Sequence, residues 1–196
     1  MKPEMITLKH GDASIKMPAS TLAKLAMASV FAQVLPAANV GPGAPKDIPP
    51  IGAYWPGQGG INGGFQPAKG DVPEHYLIFA TEDAGEHEWG RRGTESAATS
   101  KWDGKANTDA LIAAGGHPAA EAARAHTEDG HSDFDLPAAS QLYQAWVHGL
   151  ITGGLYWSSS QRSAYDAFHV LFVVGGQGDT DKVYELLVRP VRRLFL

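Results

Sequence analysis

The chain contains no cysteine. It can therefore build no disulfide framework, no thiolate metal site and no thiol nucleophile, which fits synthesis in a reducing cytoplasm. Basic residues are scarce, 16 Lys and Arg against 21 Asp and Glu, for a net charge of -5. They are also scattered, and the one cluster, Arg189, Arg192 and Arg193, is small. Phosphate binding needs a basic face, so nucleic acid is not expected as a partner. No apolar run approaches the roughly 20 residues of a membrane span, and no membrane insertion is expected. Leu25 to Leu35, followed by Pro36-Ala37-Ala38, imitates a secretion signal, but its polar lead-in is long and Ser29 and Gln33 interrupt it. An amphipathic helix is the expectation there.

What is present divides into an appendage and a domain. At 196 residues there is room for one domain of about 150 residues, large enough to fold without covalent staples. Residues 1–36 read as an attachment segment. Ile6 and Leu8, then Ile15 and Met17, alternate with polar neighbours around Gly11-Asp12, the pattern of a small hairpin. A helix capped by Ser20 or Thr21 follows, with Met27, Val30, Phe31 and Val34 on one side. A lone helix of this length is marginal in water, so the stripe packs either on a partner subunit or on its own domain. Residues 37–50, rich in Pro, Gly and Ala, read as a linker.

The domain is expected over residues 51–196. Gly52 to Gly64 surrounds Tyr54 and Trp55 and reads as a strand with tight turns, and His75 to Ala80 as a short strand. Asn107 or Thr108 is placed to cap a helix through Leu111 and Ile112 that ends at Gly115-Gly116. Pro118 opens a second helix, and a third after Leu136-Pro137 carries Leu142, Tyr143, Trp146 and Val147. Strands are predicted from Ala167 to Val174 and from Val183 to Val191, with a Gly175-to-Gly178 turn between them. Helices in the middle and strands at both ends predict an α+β fold.

Chemical signals are weak. His126, Glu128, Asp129, His131, Asp133 and Asp135 form the densest polar cluster, but its two histidines are five apart and fit no zinc motif, nor does the run fit a calcium loop. It reads as a polar connection in which Asp133 or Asp135 ties down backbone amides. Ser158, Ser159 and Ser160 lack the Gly-x-Ser-x-Gly elbow, and Gly52 to Gly64 lacks the Lys-Ser/Thr ending of a phosphate loop. No catalytic residue, metal or cofactor is expected.

The carboxy-terminal residues carry a resemblance. Tyr156-Trp157-Ser158-Ser159-Ser160, Ala167 and Phe172 before Gly175, and Val188-Arg189-Pro190-Val191-Arg192 are similar to a bacterial and phage C-type-lectin-like family, the Lcl carboxy-terminal type. Asp103-Gly104-Lys105-Ala106-Asn107-Thr108 resembles its Asp-Gly-x-x-Asn-Thr element. Asp133-Phe134-Asp135-Leu136-Pro137 with Gln141-Leu142 resembles its Trp-x-Leu-Pro…Glu-Leu element, with Phe134 for the usual Trp and Gln141 for the usual Glu. The resemblance spans Gly52 to the end. It implies a domain whose two ends meet in one sheet, flanked by helices, and it makes Trp157, Leu136 and Pro137 fold-defining residues.

The resemblance also implies a function. Relatives of this type act as adhesins on phage tails and bacterial surfaces, with a binding surface near the carboxy end. Here that region holds Gln161, Arg162, Ser163, Tyr165, Asp166, His169 and Gln177. Should the strand from Ala167 turn Phe168, Val170 and Phe172 inward, His169 and Leu171 face outward. The calcium-binding Glu-Pro-Asn or Gln-Pro-Asp tripeptide of sugar-binding lectins is missing. The expectation is a non-enzymatic receptor-binding protein of the virion, at a phage tail tip. It would be made in the host cytoplasm, assembled as a homo-oligomer, a trimer by preference, with other tail proteins, and directed at a host-surface saccharide or protein. The alternative is a structural baseplate or decoration protein whose lectin-like domain makes only protein contacts. The related formylglycine-generating fold is catalytic, but it needs cysteine or copper chemistry that this chain does not supply in the usual way.

Overall fold

The structure, a computed structural model, describes residues 5–10, 13–20 and 48–196. The chain divides into two compact units, Met1–Lys46 and Asp47–Leu196. In the first, strands β1 (Met5–His10) and β2 (Ala13–Pro18) pair antiparallel, from Met5 opposite Pro18 to His10 opposite Ala13. The register closes on a connection through Gly11 and Asp12. Those two residues, the stripe Met27, Val30, Phe31 and Val34, and linker positions 37–47 lie outside the described residues.

The second unit is α+β. Strands β3 (Tyr54–Trp55), β4 (Gly60–Gln66), β5 (His75–Phe79) and β6 (Glu86–Glu88) come first. Helices α1 (Gly104–Ala114), α2 (Pro118–Ala125) and α3 (Ala139–Val147) follow. The chain ends in β7 (Leu155–Gln161), β8 (Asp166–Leu171), β9 (Gly176–Asp181), β10 (Glu185–Leu187) and β11 (Val191–Leu194). One sheet runs β6-β10-β7-β8-β9 and the other β11-β5-β4-β3, so the final strand lies beside β5. Among the described residues no helix is long and apolar enough to cross a membrane.

The five-stranded sheet is covered on both faces, and alternation along β7 and β8 decides which side chain enters which core. Trp157 and Ala167 join Trp89, Leu111, Leu136 and the alanines of α2 in one cluster. Tyr156, Val170 and Phe172 join Leu77, Phe79, Leu142 and Val191 in the other. The indole N–H groups are not wasted: Trp157 Nε1 donates to His87 O at 3.0 Å and Trp89 Nε1 to Ser158 O at 2.9 Å. A buried Trp with its N–H satisfied gives the core both area and orientation.

Several sequence expectations are corrected. Helix α1 is capped by Asp103, whose carboxylate accepts from Ala106 N at 2.8 Å, not by Asn107 or Thr108. Those two sit inside the helix with buried side chains because the fold uses them laterally. Asn107 Nδ2 donates to Ser100 O and to Ser159 Oγ, and Thr108 Oγ1 accepts from Leu136 N. The strand expected to reach Val174 stops at Leu171, because Phe172–Gly175 forms the turn and Gly176–Gly178 belongs to β9. Gly175 makes that turn possible: its φ is 68°, and a Cβ there would stand 2.3 Å from the Trp146 ring. The Val183–Val191 run is two strands in different sheets, split at Pro190, which has no N–H for a ladder.

Candidate recognition surface

The residues that shape this surface begin beneath it. Lys182 follows β9 and is fully buried, with 0% exposure. Its Nζ donates to Thr94 O at 3.0 Å, Ala164 O at 3.0 Å and Gln161 Oε1 at 2.8 Å, and lies 4.7 Å from the centroid of the Trp89 ring. Gln161 Oε1 also accepts from Ser96 N at 2.8 Å, while its Nε2 donates to Glu95 Oε2 at 2.5 Å. Every contact fits one orientation of the amide. Burial pushes the lysine pKa down, and the nearby carboxylates of Glu95, Asp166 and Asp181 oppose that. One buried cation thereby ties the loop around Thr94–Ser96 to the turn between β7 and β8.

That turn is tight. Arg162 N and Ser163 N both donate to Asp166 O, at 3.0 and 3.1 Å. Ser163 Oγ accepts from Tyr165 N and Asp166 N, at 3.1 and 3.0 Å. With its backbone committed inward, the turn directs Tyr165 to solvent, 52% exposed. The Arg92 guanidinium lies 5.0 Å from the Tyr165 ring centroid and its Nε donates to Asp181 Oδ2 at 2.7 Å. Asp181 raises the pKa of Arg92 and is itself held below the usual carboxylate range by that arginine. Arg162, exposed on the same turn, lies 4.0 Å from Asp179. The result is an exposed ring braced by a cation over a fixed base, with Arg and Asp groups beside it.

The structure separates the residues proposed from sequence. Arg162, Ser163, Tyr165 and Asp166 share the β7–β8 turn. Gln161 is buried below it, with both ends of its amide engaged. His169 and Gln177 lie on opposite faces of the sheet, since His169 pairs with Gly178 and Val170 with Gln177. His169 is half-buried against Trp157 with ring centroids 6.4 Å apart, and burial lowers its pKa against the pull of Asp179. Its Nδ1 is buried without a partner among the described residues. Leu171 is exposed and Val170 buried, as alternation requires, and Phe168 is half-buried under Lys101, whose Nζ is 3.5 Å from the ring centroid. Arg92, Glu95, Asp181 and Lys182 were not proposed from sequence. They lie far along the chain from the turn, and no local pattern marks them.

The polar cluster disperses. Glu128 accepts from Thr81 N and Oγ1, at 3.0 and 2.7 Å. Asp129 accepts from Tyr54 Oη and from the Gly57 and Gly59 amides, and this bond pushes Tyr54 up to about 12. Asp133 and Asp135, expected to tie down backbone amides, pair instead with Arg192 at 2.7 Å and with Arg124 at 2.5 Å. Among the described residues no group of three or more His, Asp or Glu is placed to hold a metal. Ser158, Ser159 and Ser160 are all buried, their hydroxyls bonded to Phe168 O, Asn107 Nδ2 and Ser100 O. No known family model matches the chain, and a search of curated proteins finds no match either.

Proposed function

We propose that residues 51–196 form a C-type-lectin-like, non-enzymatic head that recognises a saccharide or protein on a host cell surface, as the receptor-binding tip of a phage tail. The observation that carries the recognition step is Tyr165, held outward by Arg92 above the buried Lys182–Gln161 network. Tyr and Arg are the side chains that most often dominate binding energy, and a ring fixed before contact loses little freedom on docking. The lectin-like reading rests on the motifs around Trp157 and Asp103, together with a final strand that returns beside β5. Residues 1–36 would assemble subunits, with a trimer preferred, through Met27, Val30, Phe31 and Val34.

The test is binding of the full-length protein to a panel of candidate host bacteria, with Arg92→Ala and Tyr165→Ala beside the wild type. Truncating a central Tyr costs about 2 kcal/mol or more, so both variants are expected to bind at least about tenfold more weakly while keeping their circular dichroism. Wild-type binding that both folded variants retain would move the site elsewhere on the head. No binding across the panel would overturn the adhesin reading in favour of a structural role in the virion.

A further inference from the structure

A second feature lies among residues that take no part in the Arg92–Tyr165 surface. Pro67, Lys69, Val72, Trp102, Ser140 and Gln141 line a cleft of about 200 Å³, below the roughly 300–1,000 Å³ typical of sites for drug-sized ligands. That space suits one ring. Its wall holds one firmly built polar group. Gln141 is 4% exposed, and its Oε1 accepts from Ala138 N at 2.9 Å. The orientation of the amide is thereby set, and its other end, Nε2, can only donate. That Nε2 has no partner among the described residues, yet the buried side-chain atoms left unpaired there are His75 Nε2 and His169 Nδ1 alone. Gln141 Nε2 therefore keeps open surface, and the open space that Gln141 borders is this cleft.

The charge around the cleft has one sign. Lys69 lies over the Trp102 indole, its Nζ 5.0 Å from the ring centroid, so its ammonium is held by a ring and not by a carboxylate. No Asp or Glu lines the cleft, and the adjacent Asp103 is engaged by Arg193. Ser140 and Gln141 also belong to the first turn of α3, where the helix dipole favours negative charge. A free donor and an ammonium together call for an acceptor that carries negative charge, and they repel a cation. Val72, Pro67 and the indole offer apolar wall for carbon. We propose that this cleft binds a small organic carboxylate with a compact apolar body, whose oxygens accept from Gln141 Nε2 and Lys69 Nζ. The site does not depend on the Arg92–Tyr165 reading, and either can fail without the other.

The test is a titration of the full-length protein with benzoate and with cyclohexanecarboxylate, followed by proton–nitrogen NMR of the Trp102 indole N–H. Trp102→Phe assigns that signal by removing it, and benzamide is the neutral control. At least one carboxylate is expected to shift the signal saturably at millimolar concentration. Benzamide is expected to bind at least about tenfold more weakly, the worth of a charge-assisted bond. Gln141→Glu keeps an oxygen for Ala138 N, as this capping position permits, but makes the free end an anionic acceptor; it is expected to abolish the saturable shift. Lys69→Met, on an exposed turn, removes the charge and keeps the stem, and is expected to weaken carboxylate binding at least about fivefold. The proposal is overturned by no saturable shift with either carboxylate, by benzamide binding as tightly as benzoate, or by either folded variant binding the carboxylate as tightly as the wild type.

Discussion

The domain holds two buried polar networks, and they differ in charge and in purpose. The first is neutral: Asn107 joins Ser100 to Ser159, Ser160 Oγ joins Ser100 O to Ala139 N, and Thr108 holds Leu136. It fixes α1 and the entry to α3 against the end of β7. The second is built around Lys182, a charge with 0% exposure, and it fixes the two segments that carry Arg92 and Tyr165. Burying amides and hydroxyls costs little once they are bonded, whereas burying a cation costs several kcal/mol and is tolerated only with every proton placed. The fold therefore uses cheap polar contacts to join its elements and an expensive one beneath its exposed surface.

Removing the charge should have the largest effect. Lys182→Ala leaves Thr94 O without a donor, at about 1–3 kcal/mol unless water rescues it, while Ala164 O keeps Gly93 N and Gln161 Oε1 keeps Ser96 N. It also truncates a fully buried stem, at about 2–5 kcal/mol if the site does not collapse. A loss of about 3–5 kcal/mol is expected in urea unfolding, with host-cell binding weakened by any variant that still folds. A loss below about 1 kcal/mol would show that water already reaches this site and would remove the contrast between the networks.

The neutral network gives a smaller effect with a telling sign. Gly104→Ala in an isolated helix should stabilise by about 1 kcal/mol. Here the new Cβ would stand 2.5 Å from Gln141 Oε1, 2.7 Å from Leu136 O and 2.8 Å from Ala138 N. Two of those atoms are backbone, so overpacking of about 1–3 kcal/mol is expected instead. Stabilisation by the alanine would mean that α1 does not press this closely on the Leu136–Ala138 segment.

The elements of the neutral corner were legible in the sequence because their residues are close along the chain. Asp103, Gly104, Asn107 and Thr108 are spaced for one helical turn, and Trp157-Ser158-Ser159-Ser160 is contiguous. Their individual roles were less legible: Asn107 and Thr108 suit a cap by type, and only the packing of Ser159 and Leu136 shows why they lie inside the helix. The charged network was not legible. Glu95, Gln161 and Lys182 are brought together by strand order alone, and Gln161 looks as suited to a surface as its neighbour Arg162. His169 and Gln177 were grouped by nearness in sequence, but the β8–β9 register puts them on opposite faces.

Acid should produce a graded loss. Burial lowers the pKa of His75, His117 and His169 below the ordinary 6.5, with carbonyls of Pro73 and Trp89 opposing it for the first two. The unfolded chain therefore binds more protons once the pH falls below about 6.5, and stability declines from there toward the folded-state values. Above about 6.5 this contribution is complete. Asp109 and Glu128, held low against burial by Lys105 and Arg124 and by Thr81, begin to lose their contribution only at lower pH. The urea midpoint should thus drop between about pH 7 and about 5.5, and a flat profile there would mean the imidazoles take up protons in place.

Tyr165→Ala should change stability least while changing binding most. The ring is exposed, its contact with Arg92 lies at the surface, and the turn below it is held by Ser163 and Asp166 through backbone groups that the substitution leaves intact. Surface changes of this kind usually stay within about 0.5 kcal/mol. Lys182→Ala should lower both stability and binding, because it loosens the base on which the ring stands. If Tyr165→Ala instead unfolds the domain, the tyrosine belongs with the structural network. If Lys182→Ala folds poorly yet still binds, the charged network shapes the core and not the surface above it.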